Sequence, residues 1–139
     1  MVNETYQIEA KDFRAAGDAS ISIKRILKKK NFNPDFIKRV SAACYEAEIN
    51  IVIHSYGGVV KMLADETCVF LEFIDDGPGI EDIHYAMQEG VSTADEEARN
   101  NGFGAGLGLS NIKRLSDAMI LDSNKDGTHL KIWFYTNMK

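Results

Sequence analysis

The tripeptide Asn33-Pro34-Asp35 constrains this chain more than any other feature, because a side-chain acceptor, a residue with preset φ and an acid meet where a helix must begin. Beyond it Ile37, Val40, Cys44, Ala47 and Ile51 recur at spacings of three and four, and Gly57-Gly58 end the pattern. The spacing predicts a helix from Pro34 to about His54 with one apolar stripe against a core.

The flanking segments say what that stripe packs on. Val59 to Ala64 and Cys68 to Ile74 are β-rich runs joined at Asp65-Glu66-Thr67, and Met119 to Ser123 with Thr128 to Tyr135 form a second hairpin turning at Lys125-Asp126-Gly127. Thr5 to Glu9 alternates weakly through Tyr6, Ile8 and Ala10 as an opening strand. Asp12 reads as the N-cap of a helix to about Lys30, with Phe13, Ala16, Ser20, Ile23 and Leu27 on one side and Gly17 weakening it. Ala105 to Met119 is helical again. The expected fold is α+β: a two-layer sandwich with a mixed, mostly antiparallel sheet and about three helices on one face, forming a single domain over residues 1–139.

Composition removes several function classes. A chain 45% hydrophobic and 27% charged, with 11 Gly and 2 Pro, is an ordinary globular domain. Its net charge of −5 gives no global field for nucleic acid or anionic lipid. The cluster Lys24, Arg25, Lys28, Lys29 and Lys30 reads as a solvated last helical turn at the negative end of a dipole. Ile49 to Ile53 and Val69 to Ile74 fall far short of the ~20 residues a bilayer span needs. Met1 to Glu4 lacks the basic and apolar regions of a signal peptide. Cys44 and Cys68 read as small core hydrophobes, Trp133 as core, and the expected compartment is the cytoplasm.

Three constellations carry chemistry. Glu46, Asn50 and His54 fall within about 80° of one another on the predicted helix, roughly opposite the apolar stripe. They are either a carboxylate base with an amide ligand for Mg²⁺, or a plain i,i+4 pair on a solvated face, and the helix alone does not separate these. Asp75-Asp76-Gly77-Pro78-Gly79 follows an apolar strand, as a carboxylate aimed into a pocket or as a simple turn. Asn101 to Ser110 places Gly102, Gly104, Gly106 and Gly108 at alternate positions before a helix, which suits a phosphate cradle or a hinge; it matches neither a Walker loop nor a good dinucleotide fingerprint. Between the last two lies the long, polar segment Ile80 to Asn101, of the size of a functional lid, with a short helix expected near Ile83 to Gln88.

In this order and spacing the motifs resemble those of the GHKL, or Bergerat-fold, ATP-binding superfamily. Glu46-Ala47-Glu48-Ile49-Asn50 is similar to the N box, Asp75 to Gly79 to the first glycine box, Gly102 to Leu109 to the second, and Asp126-Gly127-Thr128 to the closing Gly-Thr motif. Within the superfamily, Glu89 to Thr93 and Gly104 to Leu115 look most like the bacterial anti-sigma-factor and switch serine/threonine kinases.

The resemblance implies an ATP-dependent protein kinase of a partner-switching system acting on a small STAS-type antagonist, with a sigma factor or other regulator as a further partner. The alternative it implies is an ATP-binding anti-sigma factor or nucleotide sensor that sequesters a partner without phosphotransfer. Glu46 would be the general base and Asn50 the Mg²⁺ ligand. Asp75 would accept the adenine amino group, with Gly77 and Gly79 shaping that wall and Thr128 supporting it. Gly102, Gly104, Gly106, Leu107 and Gly108 would close the ATP lid, about residues 80–103, over the phosphates. Relatives often form homodimers, and the opening strand is the expected interface. No direct contact with nucleic acid or membrane is implied.

Some positions depart from the family pattern. Asp76 stands where Asn is usual and adds a second negative charge, which either helps a metal or weakens ATP binding. Glu48 lies about 160° round the helix from Glu46, which assigns it to a surface or salt bridge. Arg99, the one cation among the lid carboxylates Glu89, Asp95, Glu96 and Glu97, either reaches the γ-phosphate or stays exposed. His54 reads as a cap or packing residue, with a phosphate contact as the other option. His54, His84 and His129 are too scattered for zinc.

Overall fold

A computed structural model describes residues 1–79 and 108–136. Their elements run β1 (Val2–Ile8), α1 (Asp18–Lys29), α2 (Pro34–His54), β2 (Gly58–Ala64), β3 (Cys68–Asp75), α3 (Leu109–Leu115), β4 (Ala118–Asn124) and β5 (Gly127–Tyr135). The strands form one sheet in the order β1-β2-β3-β5-β4, and every pairing is antiparallel, so no parallel component of a mixed sheet occurs among the described residues. All three helices cover one face. None of them is long and apolar enough to cross a membrane.

The start of α2 forms as its sequence dictates. Asn33 Oδ1 accepts the N–H of Asp35 at 2.8 Å and that of Phe36 at 3.4 Å, with Pro34 in the first turn. At the other end the Ser55 hydroxyl donates to the Ile51 carbonyl at 2.8 Å and accepts from the Gly57 N–H at 3.0 Å, which turns the chain into β2. The predicted stripe Ile37, Val40, Cys44, Ala47 and Ile51 is buried against Val60, Met62, Leu71, Ile132 and Phe134 of the sheet. Each large aliphatic or aromatic group placed there contributes about 1.5–3 kcal/mol. Burial also pushes the Cys44 thiol up to about 12, leaving it an inert core group.

The opening strand starts three residues earlier and ends one residue earlier than its alternation suggests, and α1 begins at Asp18 rather than after Asp12. The reason is that residues 9–17 are tied to α2. Lys11 donates its backbone N–H to the Val52 carbonyl at 2.7 Å and its ammonium to the Ile53 carbonyl at 2.6 Å, at the negative end of α2. Asp12 caps only a turn, accepting the Ala15 N–H at 3.3 Å.

The N-terminus of α1 is capped instead by Glu48. Its carboxylate accepts the N–H groups of Gly17, Ala19 and Ser20 at 3.0, 3.2 and 2.9 Å and the Ser20 hydroxyl at 2.7 Å. Glu48 is therefore neither a surface group nor a salt-bridge partner: it is 2% exposed and joins α2 to α1. Four donors compensate a charge that would be prohibitive alone.

Three further expectations are corrected. The helix predicted from Ala105 to Met119 ends at Leu115, because Asp117 starts pairing with β5 through its N–H to the Trp133 carbonyl at 2.8 Å; its beginning, at 105–107, lies outside the described residues. Trp133 and Cys68 point away from the helices and are only partly buried. Trp133 packs on Phe70, ring centroids 4.9 Å apart, within a cross-strand row Leu63, Phe70, Trp133 and Ala118 on the outer face of the sheet.

Candidate nucleotide site

Asp75 is the last residue of β3, and its half-buried carboxylate is held by the strand beside it. Its Oδ1 accepts the Gly77 N–H at 3.0 Å and the Thr128 N–H at 2.9 Å, while Oδ2 takes no hydrogen bond among the described residues. Burial raises its proton affinity, the two N–H groups oppose that, and neighbouring Asp76 adds to it, leaving the carboxyl above its ordinary value. The hydroxyl of Thr128 is hydrogen-bonded to that of Ser123 at 2.8 Å.

The glycines after Asp75 let the loop lie on the β4–β5 turn. Gly79 has φ +87°, and a Cβ there would collide with the Asn124 carbonyl. Gly77 is buried and its carbonyl accepts the Tyr56 N–H at 2.9 Å. Asp76 is exposed and lines a surface cleft with Gln7, Tyr56 and Ile74, apart from Asn50.

A small cavity of about 50 Å³ brings the predicted residues together. Asn50 and His54 of α2, Asp75, Gly79 and Thr128 line it, with Phe73, Leu109, Leu121 and Leu130 as apolar walls. The larger clefts of the molecule lie elsewhere, the one between β1 and α1 holding about 460 Å³. The spatial convergence of Asp75, Asn50 and Thr128, 25 to 78 residues apart in sequence, makes the small cavity the candidate site.

Glu46 stands one turn before Asn50 and faces the start of α3. It is half-buried, and burial pushes its carboxyl above the usual range. Gly108, the N-cap of α3, has φ +68° and packs so closely on Glu46 that a Cβ would strike Oε2. Glu46 is thus packed against Gly108, with its proton affinity raised above that of a free glutamate.

Gly102, Gly104, Gly106 and Leu107, the lid from residue 80, its short helix, Arg99 and His84 lie outside the described residues. His129 pairs with Glu72 on the outer sheet face. No cluster of potential metal ligands from His, Cys, Asp and Glu occurs among the described residues.

Sequence reasoning missed two groups that tie α2 to its neighbours. One is Glu48. The other is Arg39, whose guanidinium donates to the Leu115 carbonyl and Asp117 at 3.1 Å each and to the Tyr135 carbonyl at 3.2 Å, over the rings of Phe36 and Phe134. No local pattern marks Arg39, since its partners are 76 to 96 residues away.

Comparison with known proteins gives the family of the chain. Residues 10–134 match the histidine kinase-like ATPase domain family. The chain is 33% identical over 92 residues to an anti-sigma F factor of Thermoanaerobacter sp. (strain X514), covering 63% of this chain and 61% of that protein. It is 35% identical over 89 residues to the serine/threonine-protein kinase RsbT of Bacillus subtilis (strain 168), covering 61% of each. The matched part thus spans about 61% of the length of these relatives. Among solved structures it is similar in fold to a chain of the SiaB-SiaC complex from Pseudomonas aeruginosa, with TM-score 0.53 and 16% identity over 96% of this chain and 89% of that one. The catalytic domain of the histidine kinase ThkA is similar at TM-score 0.52 and 15% identity, over 97% and 96%. With the antiparallel sheet, the one-sided helices and Asp75 at the strand end all in place, the chain belongs to the histidine kinase-like, GHKL-type ATPase domain family.

Proposed function

We propose that this chain is a protein-serine/threonine kinase of a bacterial partner-switching system, transferring the γ-phosphoryl group of ATP to a hydroxyl of a small STAS-type antagonist. The observation that carries this reading is the placement of Glu46: a half-buried carboxylate of raised proton affinity, one turn from Asn50, which shares a cavity with Asp75. A pure nucleotide sensor has no need of such a base. The name of the Bacillus subtilis relative, a serine/threonine-protein kinase, points the same way.

The residues fit a purine in one respect and constrain it in another. Asp75 Oδ2 is an acceptor with no hydrogen bond among the described residues, suited to an exocyclic amino group. The cavity of about 50 Å³ is far below the roughly 300 Å³ of small ligand pockets, so seating adenine requires the walls at Leu109, Leu121 and Leu130 to part. Asn50 would offer its amide oxygen to Mg²⁺, an ion that neutralises phosphate charge when bound. Glu46 would take the proton of the acceptor hydroxyl as that oxygen bonds to the γ-phosphorus and the bond to ADP breaks. Gly102, Gly104, Gly106, Leu107 and Gly108 would supply backbone N–H groups around the phosphates.

A second reading, ATP-dependent partner binding without transfer, is favoured by the relatives named anti-sigma F factor. One experiment separates the two. Purified protein, Glu46→Ala and Asp75→Ala are incubated with γ-labelled Mg·ATP and native lysate. The kinase reading expects a labelled band of foreign mass with wild type only. ATP bound by wild type and Glu46→Ala but not Asp75→Ala, with no labelled band, would leave the binding module.

A further inference from the structure

Seven of the chain's 16 Lys and Arg residues fall within residues 24–39, a stretch with a single acid, Asp35, in a chain whose net charge is −5. Arg39 is occupied by Asp117 and two carbonyls. The other six, Lys24, Arg25, Lys28, Lys29, Lys30 and Lys38, are exposed, and none makes an ion pair among the described residues. The helix dipole accounts for Lys28, Lys29 and Lys30 at the end of α1. It does not account for Lys38, which stands near the start of α2, where the dipole disfavours a cation.

What Lys38 shares with Lys24 and Lys28 is a groove. Lys24 and Lys28 of α1 and Lys38 of α2 border about 510 Å³ of space, with Phe32, Pro34 and Ile37 among its lining. Phe32 is 6% and Ile37 4% exposed, so these two form a recessed floor, while Pro34 at its edge and the cations, drawn from two helices, are exposed. At 1.5 Å per residue the groove lies roughly 20 Å along α2 from Asn50, clear of the nucleotide site.

We propose that this groove docks an acidic amphipathic segment of another protein, with apolar side chains seated toward Phe32 and Pro34 and carboxylates paired with Lys24, Lys28 and Lys38. Charge complementarity sets the sign of the occupant. The recessed floor sets its class: a bilayer is engaged by apolar side chains that project outward, and a nucleic acid backbone would cover the cations and leave the floor unfilled. A peptide helix with apolar anchors at i, i+3, i+4 and i+7 flanked by Glu satisfies both. The inference does not depend on phosphate transfer.

The test uses the full chain and three synthetic helical peptides: one with Leu anchors and flanking Glu, one with Lys in place of Glu, and one with Ser in place of Leu. Fluorescence anisotropy is expected to show binding of the Leu/Glu peptide alone, weakening as salt is raised. Lys24→Glu/Lys28→Glu/Lys38→Glu should bind it at least about tenfold more weakly, and the corresponding triple Gln variant should fall between, with ATP binding unchanged in both. Circular dichroism checks that each variant is folded. No binding of the Leu/Glu peptide, equal binding of the Lys or Ser peptide, or wild-type affinity in the charge-reversed variant would overturn the proposal. So would tighter binding to phosphatidylglycerol vesicles than to the peptide.

Discussion

Gly108 and Glu46 are in such close register that no side chain can be added to the first without displacing the carboxylate of the second. Gly108→Ala is therefore expected to lose about 1–2 kcal/mol from its left-handed backbone alone, and more from the collision with Oε2. Urea denaturation of a double-mutant cycle checks this: the cost of Gly108→Ala should be smaller in a Glu46→Ala background. Equal costs in the two backgrounds would mean that the pair is not coupled.

The raised proton affinity of Glu46 carries a sign for stability. Its carboxyl titrates higher in the fold than in the unfolded chain, so its contribution is most favourable below the ordinary glutamate range and is lost as pH rises through the higher folded value. Glu46→Gln is expected to be more stable than wild type at neutral pH, with the gain shrinking under acid conditions. Thermal denaturation against pH measures it, and a gain that grew on acidification would contradict the burial argument.

Glu48 carries the opposite expectation. Glu48→Ala leaves the amides of Gly17, Ala19 and Ser20 without their acceptor, and each unsatisfied buried group costs about 1–3 kcal/mol. A total loss of roughly 3 kcal/mol or more is expected, read by urea denaturation. Hydrogen exchange adds a local readout, since protection should fall first at those three amides.

Asp75→Asn keeps an acceptor for Gly77 and Thr128 but replaces the other carboxylate oxygen by a donor. The fold should survive with a modest change in stability while ATP affinity falls at least about tenfold, because a donor then faces a donor. Calorimetric titration with ATP decides it: unchanged affinity would overturn the proposed contact of Asp75 with adenine.

Arg39 and Asp117 tie α2 to the strand following α3. Arg39→Lys keeps the charge but cannot repeat the fork to Leu115, Asp117 and Tyr135, and a loss of about 1–2 kcal/mol is expected. In a cycle with Asp117→Asn the ion pair itself should account for about 1 kcal/mol or less, since both side chains are about one-third exposed.

The extent and buried face of α2, both hairpins and the helices-on-one-face layering were legible because each rests on a short-range rule: a cap, a period or a turn. Of the motif residues, the structure gathers Asn50, Asp75, Gly79 and Thr128 around one cavity. What escaped was long-range. The start of α1 is set by Glu48, 28 to 31 residues away, and a helical wheel shows which way Glu48 points on its own helix but not which helix end will meet it. Trp133 was misplaced for a similar reason, since alternation along β5 gives two faces without saying which one the helices cover. Phe134, its neighbour, took the core position.

Residues 46, 48 and 50 of α2 face three different parts of the molecule: the cap of α3, the first turn of α1 and the cavity at the strand end. The helix is thereby held against rotation about its own axis. Turning it enough to withdraw Glu46 from Gly108 would drag Glu48 off four hydrogen bonds. The aim of the candidate base is thus set by a latch two residues away, which locks onto a different helix.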